Sequence, residues 1–319
     1  MKKVLKFLGI GIAAVLLLAG VFVIYIYATP IPYYDVEKIA FQAKATPQTV
    51  ERGEKLAQML CVHCHLNHET GKLVGRRLLD VPTEFGEIYS QNITQDKVYG
   101  IGNWTDGELV YLLRTGIKRN GQYSPPYMNK LTNMADEDIN AIIAFLKSDN
   151  PMVTADATPD IPPRPSLLTK ILARIAFKPY ALPTKPIPMP DTTNVQALGK
   201  YLAYNLECFS CHSADFKSDD YLNPELSVGY FGGGNKPLDD QGRVKPTPNL
   251  TPDKETGIGN WTREDFVNSL KNGIVKNDVA LTSPMSPYIQ LTDKEAAAIY
   301  EYLRTIKPIH NKVVRAIYE

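Results

Sequence analysis

The chain has four cysteines, and they fall as two pairs, Cys61 with Cys64 and Cys208 with Cys211, each followed at once by a histidine, His65 or His212. Two thiols one helical turn apart can reach the two vinyl groups of a single porphyrin, and the next histidine then faces its iron. Such attachment consumes all four thiols as thioethers and holds two c-type hemes. The rival chemistries fit poorly. Zinc motifs bring Cys-x-x-Cys pairs within about 20 residues of each other, whereas these pairs stand 147 residues apart. A thioredoxin-like redox pair needs a β-α-β pattern that is absent, and neither rival explains the histidines.

A second ligand to each iron is expected to be methionine or histidine. An internal repeat chooses between them. Asn92-Ile-Thr-Gln-Asp-Lys and Gly100-Ile-Gly-Asn-Trp-Thr recur 157 positions later as Asn249-Leu-Thr-Pro-Asp-Lys and Gly257-Ile-Gly-Asn-Trp-Thr. Met128 and Met285 are the methionines that coincide under this shift, each eight residues before an aspartate, Asp136 or Asp293. Met134 corresponds to Leu291 and is expected in the core, while Met59, Met152 and Met189 have no counterpart. His63, His68 and His310 have none either, so surface or packing roles are expected of them. Histidine–methionine ligation raises the reduction potential and closes the iron to other ligands, as a carrier requires.

The elements around these residues read as helices in both copies. Gly53, Leu56, Ala57 and Leu60 repeat as Gly199, Leu202, Ala203 and Leu206, the spacing of one buried helix face with a glycine for close contact. A middle helix starts after Trp104, where Thr105 and Glu108 form a capping-box pattern that Thr262 and Asp265 repeat. A last helix carries Ile139, Ile142, Ile143 and Leu146, repeated as Ala296, Ile299, Tyr300 and Leu303; Thr292 with Glu295 caps the second, but Ala135 replaces the threonine in the first. Trp104 and Trp261 occupy equivalent sites, either packing on the core or giving an indole N–H to a heme propionate. The four Asn-x-Thr triplets at Asn92, Asn103, Asn249 and Asn260 are read as turn and cap residues, not glycosylation sites. Ten extra residues in the second copy, including Gly232 to Asn235, suggest a flexible loop.

Outside the copies, no charge occurs from Phe7 to Tyr34, behind a basic start at Lys2, Lys3 and Lys6. That run exceeds the apolar core of a cleaved export signal, the rival reading, and matches a membrane-spanning helix with its N-terminus inside. The rest of the chain is then on the exported, periplasmic side. Hydrophobic residues at 44% and charged residues at 22% suit globular domains, and a net charge of +1 argues against a nucleic-acid partner. The expected organisation is an anchor at 1–30, a tether at 31–47, a first domain at 48–150, a proline-rich linker at 151–191, a second domain at 192–310 and a tail at 311–319. Within the linker, Leu168, Ile171, Leu172 and Ile175 have helical spacing, expected as a short helix packed on a domain.

Taken together, Cys-x-x-Cys-His, Asn-Ile/Leu-Thr-x-Asp-Lys, Gly-Ile-Gly-Asn-Trp-Thr and a methionine ahead of the last helix resemble the bacterial diheme class I c-type cytochromes. The likeness is to the cytochrome c subunits of membrane-bound alcohol and gluconate dehydrogenases, and it covers about residues 48–150 and 192–308. Those subunits often hold three hemes, whereas two motifs are present here. The resemblance implies an all-α fold of two tandem class I domains after a transmembrane helix. It further implies electron transfer between a periplasmic dehydrogenase or quinol-oxidising complex and a terminal oxidase or soluble cytochrome. A diheme peroxidase, which needs one open iron, and a heme subunit of a terminal oxidase are the alternatives.

Overall fold

A computed structural model describes residues 2–276 and 280–314; Met1, residues 277–279 and 315–319 lie outside the described residues, so the expected tail is seen only at 311–314. The charge-free run forms helix α1, Lys2–Ala28. At 1.5 Å per residue it is about 40 Å long, more than the roughly 30 Å of a bilayer's hydrocarbon layer. Its apolar side chains are exposed, with Ile26 alone buried. Pro30 and Pro32 follow its end, where the missing N–H groups cannot continue a helix.

Among the described residues each copy has four α-helices. The first holds α2 (Pro47–Leu60), α3 (Val62–His65), α4 (Asp106–Thr115) and α5 (Asp136–Leu146). Helix α6 (Leu167–Ile175) lies between the copies, and the second holds α7 (Val195–Asn205), α8 (Cys208–His212), α9 (Arg263–Asn272) and α10 (Asp293–Leu303). The one sheet among the described residues is a two-residue antiparallel pair, Gly86–Glu87 with Arg164–Pro165. The fold is therefore all-α in substance.

The first and last helices of each copy press together at the repeated glycine. A Cβ on Gly53 would stand 1.9 Å from the Ala141 carbonyl oxygen, and one on Gly199 1.9 Å from that of Ala298. Around these crossings lie two separate cores, one with Leu56, Ile142 and Phe145, the other with Leu202, Phe266 and Ile299. Met134 is fully buried in the first and Leu291 nearly so in the second, as expected. All three capping boxes read from the sequence are formed, at Thr105, Thr262 and Thr292.

The segments outside the copies are bound to them. In the 31–47 stretch Tyr34 N–H donates to Gly121 O, Tyr123 N–H to Pro32 O, and Ala43 N–H to Asp106 Oδ2. The stretch is thus a strap on the first copy. The proline-rich segment is likewise tied down, with Asn92 N–H donating to Asp160 and Asp136 N–H to Ile187 O.

The copies meet through equivalent positions. Tyr201 on α7 donates its hydroxyl to Asp138, the third residue of α5, at 2.6 Å. Lys55 on α2, the counterpart of Tyr201, reaches Glu295, the third residue of α10, at 2.5 Å. This reciprocity is that of a pseudo-twofold interface. A second contact is not reciprocal: Thr132 and Asn133 of the first copy donate to the Tyr221 carbonyl of the second at 3.1 and 2.8 Å.

Candidate heme sites

Each motif sits on a one-turn helix directly after the first long helix of its copy. Cys61 stays in right-handed helical backbone between α2 and α3. In the second copy one extra residue, Glu207, intervenes before Cys208 in a left-handed conformation at φ 52°. Both histidines are oriented alike. His65 Nδ1 lies 2.7 Å from Gln91 O and His212 Nδ1 lies 2.9 Å from Pro248 O, and these carbonyls are related by the same 157-residue shift. A carbonyl only accepts, so Nδ1 carries a proton in both rings and Nε2 is the nitrogen that a metal would take. Burial holds the His65 imidazole below its ordinary pKa, which keeps it uncharged.

No disulfide joins the four cysteines, which are half-buried, and desolvation pushes each thiol up to about 12. Two thiols one helical turn apart beside an imidazole oriented by a backbone carbonyl are the donor set that thioether attachment and iron ligation of a heme would use. The residues fit the group.

Glycines missed by the sequence reading close the loop behind each motif. Gly75 at φ 86° and Gly233 at φ 71° each donate N–H to the carbonyl of the motif histidine, both at 2.8 Å. A Cβ on Gly75 would lie 2.3 Å from Ser90 O, and one on Gly233 2.6 Å from Asn249 N, so neither site accepts a side chain. Gly75 follows His65 by ten positions and Gly233 follows His212 by twenty-one, which sets the insertion ahead of Gly233. Gly232 to Asn235 are not a flexible loop. Asn235 donates its amide to Ser210 O at 2.8 Å and its N–H to Ser213 O at 3.1 Å, and Asn311 binds the carbonyls of Gly232 and Gly233. Asn92 and Asn249 are buried turn residues that accept from the N–H and hydroxyl of Thr94 and Thr251.

Within each copy the two cysteines and histidine are gathered on one short helix, while the methionine stands in a separate loop between the middle and last helices. Met128 is half-buried, with Ser124 Oγ 3.7 Å from its sulfur. Met285 is half-buried against the second core. Trp104 and Trp261 pack at the edges of their own cores, and their carbonyls accept from Lys147 Nζ and the Tyr300 hydroxyl.

Buried charges gather where the motifs approach each other. Burial raises Glu207 to about 8 and lowers Lys130 to about 7, and each opposes the other's shift as an opposite charge. Lys130 Nζ is held by Pro125 O at 2.7 Å and Met128 O at 2.6 Å. Glu207 acts electrostatically on Cys64 as well as on Cys208 and Cys211, and Asp80 on both Cys64 and Cys211. The motif of one copy thus lies within the field of the other's carboxylate. Asp219, in the inserted stretch, is raised to about 7 by burial, which outweighs the opposing influence of the Ser210 hydroxyl.

The fold and paired motif helices define a heme protein of two like modules. The cytochrome c family profile matches residues 50–149 and 196–307, and the chain belongs to the cytochrome c family, with two heme c groups matching the two segments. It is 31% identical to the fructose dehydrogenase cytochrome subunit of Gluconobacter japonicus, over 83% of this chain and 54% of that protein. Against the gluconate 2-dehydrogenase cytochrome c subunit of Pantoea cypripedii it is 30% identical, over 84% and 63%. A diheme cytochrome c-type protein of Cereibacter sphaeroides is 27% identical, over 78% and 82%. The chain spans little more than half the length of the fructose and alcohol dehydrogenase subunits it matches.

Proposed function

We propose that the chain is a membrane-anchored diheme electron carrier and not itself an enzyme. It passes single electrons between a periplasmic dehydrogenase or quinol-oxidising complex and a terminal oxidase or soluble cytochrome. Cys61 with Cys64 and Cys208 with Cys211 hold the two hemes; His65 with Met128 and His212 with Met285 are the axial pairs. Helix α1 crosses the cytoplasmic membrane with its N-terminus inside, and both domains, 48–150 and 192–310, stand on the periplasmic side. Trp104 and Trp261, packed at the edges of their cores, would be the indole N–H groups available to a heme propionate.

When bound, heme c supplies a one-electron iron couple. The chain's residues set the conditions for it. The Gln91 and Pro248 carbonyls fix the imidazole tautomers, the Met128 and Met285 thioethers would ligate the irons and keep water and peroxide off them, and the Tyr221 contact ties the two copies together near their motifs. The single observation carrying this reading is the histidine–carbonyl pair at equivalent positions of both copies. A carrier needs both irons closed, and Met128 and Met285, at equivalent positions of the two copies, are the groups proposed to close them.

A redox titration followed by optical spectra of the isolated protein tests it. Two low-spin couples are expected, and Met128→Leu and Met285→Leu should each remove half of the methionine-to-iron absorption, with Met134→Leu leaving it whole. Equal loss in Met134→Leu, or a high-spin iron that turns over peroxide in the unmodified protein, would refute the assignment.

A further inference from the structure

Helix α6 packs its small residues on the first copy. Thr169 and Ala173 are buried, and Ala173 joins Ile31, Tyr123, Tyr34 and Phe177 in a small cluster uniting the strap, the first copy and α6. A second side grips the end of α1. Lys170 Nζ donates to Tyr27 O at 2.7 Å, and Arg174 donates to Thr29 Oγ1 at 2.6 Å and Pro30 O at 2.7 Å. The same two cations lie over the rings of Tyr27 and Tyr25, at 5.7 and 5.9 Å. What remains outward is apolar: Leu168 is 43% and Ile175 65% exposed, two helical turns apart.

The place of this face says what covers it. The charge-free part of α1 from Phe7 is about 33 Å long, close to the thickness of the hydrocarbon layer, so Tyr25 and Tyr27 at its end stand at the headgroup boundary, where amphipathic aromatic rings belong. Because α6 is bonded to that end, its outward residues are carried to the same depth. The charge agrees. Between Asp160 and Asp191 the chain has no acidic residue and five basic ones, Arg164, Lys170, Arg174, Lys178 and Lys185, the composition of a segment drawn to an anionic lipid surface.

We propose that α6 is a second membrane-contacting element, lying in the headgroup layer of the bilayer that α1 crosses with Leu168 and Ile175 turned into the acyl boundary. This rests on the reading of α1 as a membrane span. Together with the 31–47 strap, α6 fixes the first heme domain at a set height and orientation above the lipid instead of leaving it on a swinging tether.

Photo-labelling of the full holoprotein tests this, in phosphatidylcholine–phosphatidylglycerol vesicles carrying a diazirine near the glycerol end of the acyl chain. Peptide mapping should find lipid adducts on α1 and on Leu167–Ile175 but not on the exposed α9. A Leu168→Glu/Ile175→Glu protein should carry about tenfold fewer adducts on α6 with α1 labelled as before. Adducts on α1 alone in the unmodified protein would overturn the role of α6 and leave the anchor standing, the result expected if a protein partner covers this face. Adducts on neither helix would overturn both.

Discussion

The two copies solve the start of their last helix differently, and the difference shows how they came to be joined. In the second, Thr292 and Glu295 form a closed capping box, with Thr292 N–H donating to Glu295 Oε2 at 2.7 Å. In the first, Ala135 offers no side-chain cap, and the third residue, Asp138, turns away to Arg52 and to Tyr201 of the other copy. The Tyr201 hydroxyl accepts the Ala135 N–H in exchange, at 3.1 Å. One copy is capped from within and the other leans on its neighbour. The second copy has also gained the stretch ahead of Gly233, and its Tyr221 supplies both the carbonyl that the first copy grips and a hydroxyl 2.9 Å from Ser210 inside Cys-x-x-Cys. The insertion is therefore interface.

The equivalence of the copies is broken hardest at the crossing glycines. Gly53→Ala and Gly199→Ala each force a Cβ against a helix backbone, and each should cost about 3 kcal/mol or more, measured by chemical denaturation of the holoprotein. A tolerated Gly199→Ala would show that the second crossing can relax where the first cannot. Next is the borrowed cap. Tyr201→Phe leaves the buried Asp138 short of a donor and Ala135 N–H without its acceptor, for an expected loss of about 2 kcal/mol, whereas Thr292→Ala removes a self-contained cap for about 1 kcal/mol. Equal losses would mean that the contact between copies adds nothing beyond a local cap.

The smallest effect, once solvent screening of a partly exposed carboxyl is allowed for, is the pH dependence that Asp219 of the second copy contributes. Burial raises the Asp219 carboxyl to about 7, so between its unfolded value near 3.8 and that point the folded chain binds the extra proton. Stability therefore falls as pH rises through this window. Asp219→Asn should melt with the parent at its acid end and a few degrees above it at its alkaline end, by thermal melts of the holoprotein. A constant offset across the window would place the proton elsewhere.

Much of this was legible in the sequence. The 157-residue register exposed the duplication, the helix faces, the three capping boxes, the buried Met134 and the turn roles of Asn92 and Asn249, because those rest on local periodicity and on side chains bonding their own backbone. What escaped reading is non-local. That Tyr201 stands in for a missing threonine depends on a contact between copies, and no pattern near Ala135 announces it. Glu207 shows only as a slip between the register of Gly53 with Gly199 and that of Cys61 with Cys208. Gly75 and Gly233 are hidden by the insertion, which shifts their spacing from the motif. The 31–47 and proline-rich segments read as linkers by composition, yet their backbone groups bond to loops far away in sequence.

Everything in the account depends on two hemes gripped by two equivalent motifs. Mass spectrometry of peptides from the mature full-length protein tests this most directly, after treatment with a thiol-alkylating reagent. The account predicts one heme on the peptide with Cys61 and Cys64, one on the peptide with Cys208 and Cys211, and no alkylated cysteine. Alkylation at all four positions in protein from a host able to mature such hemes would contradict it.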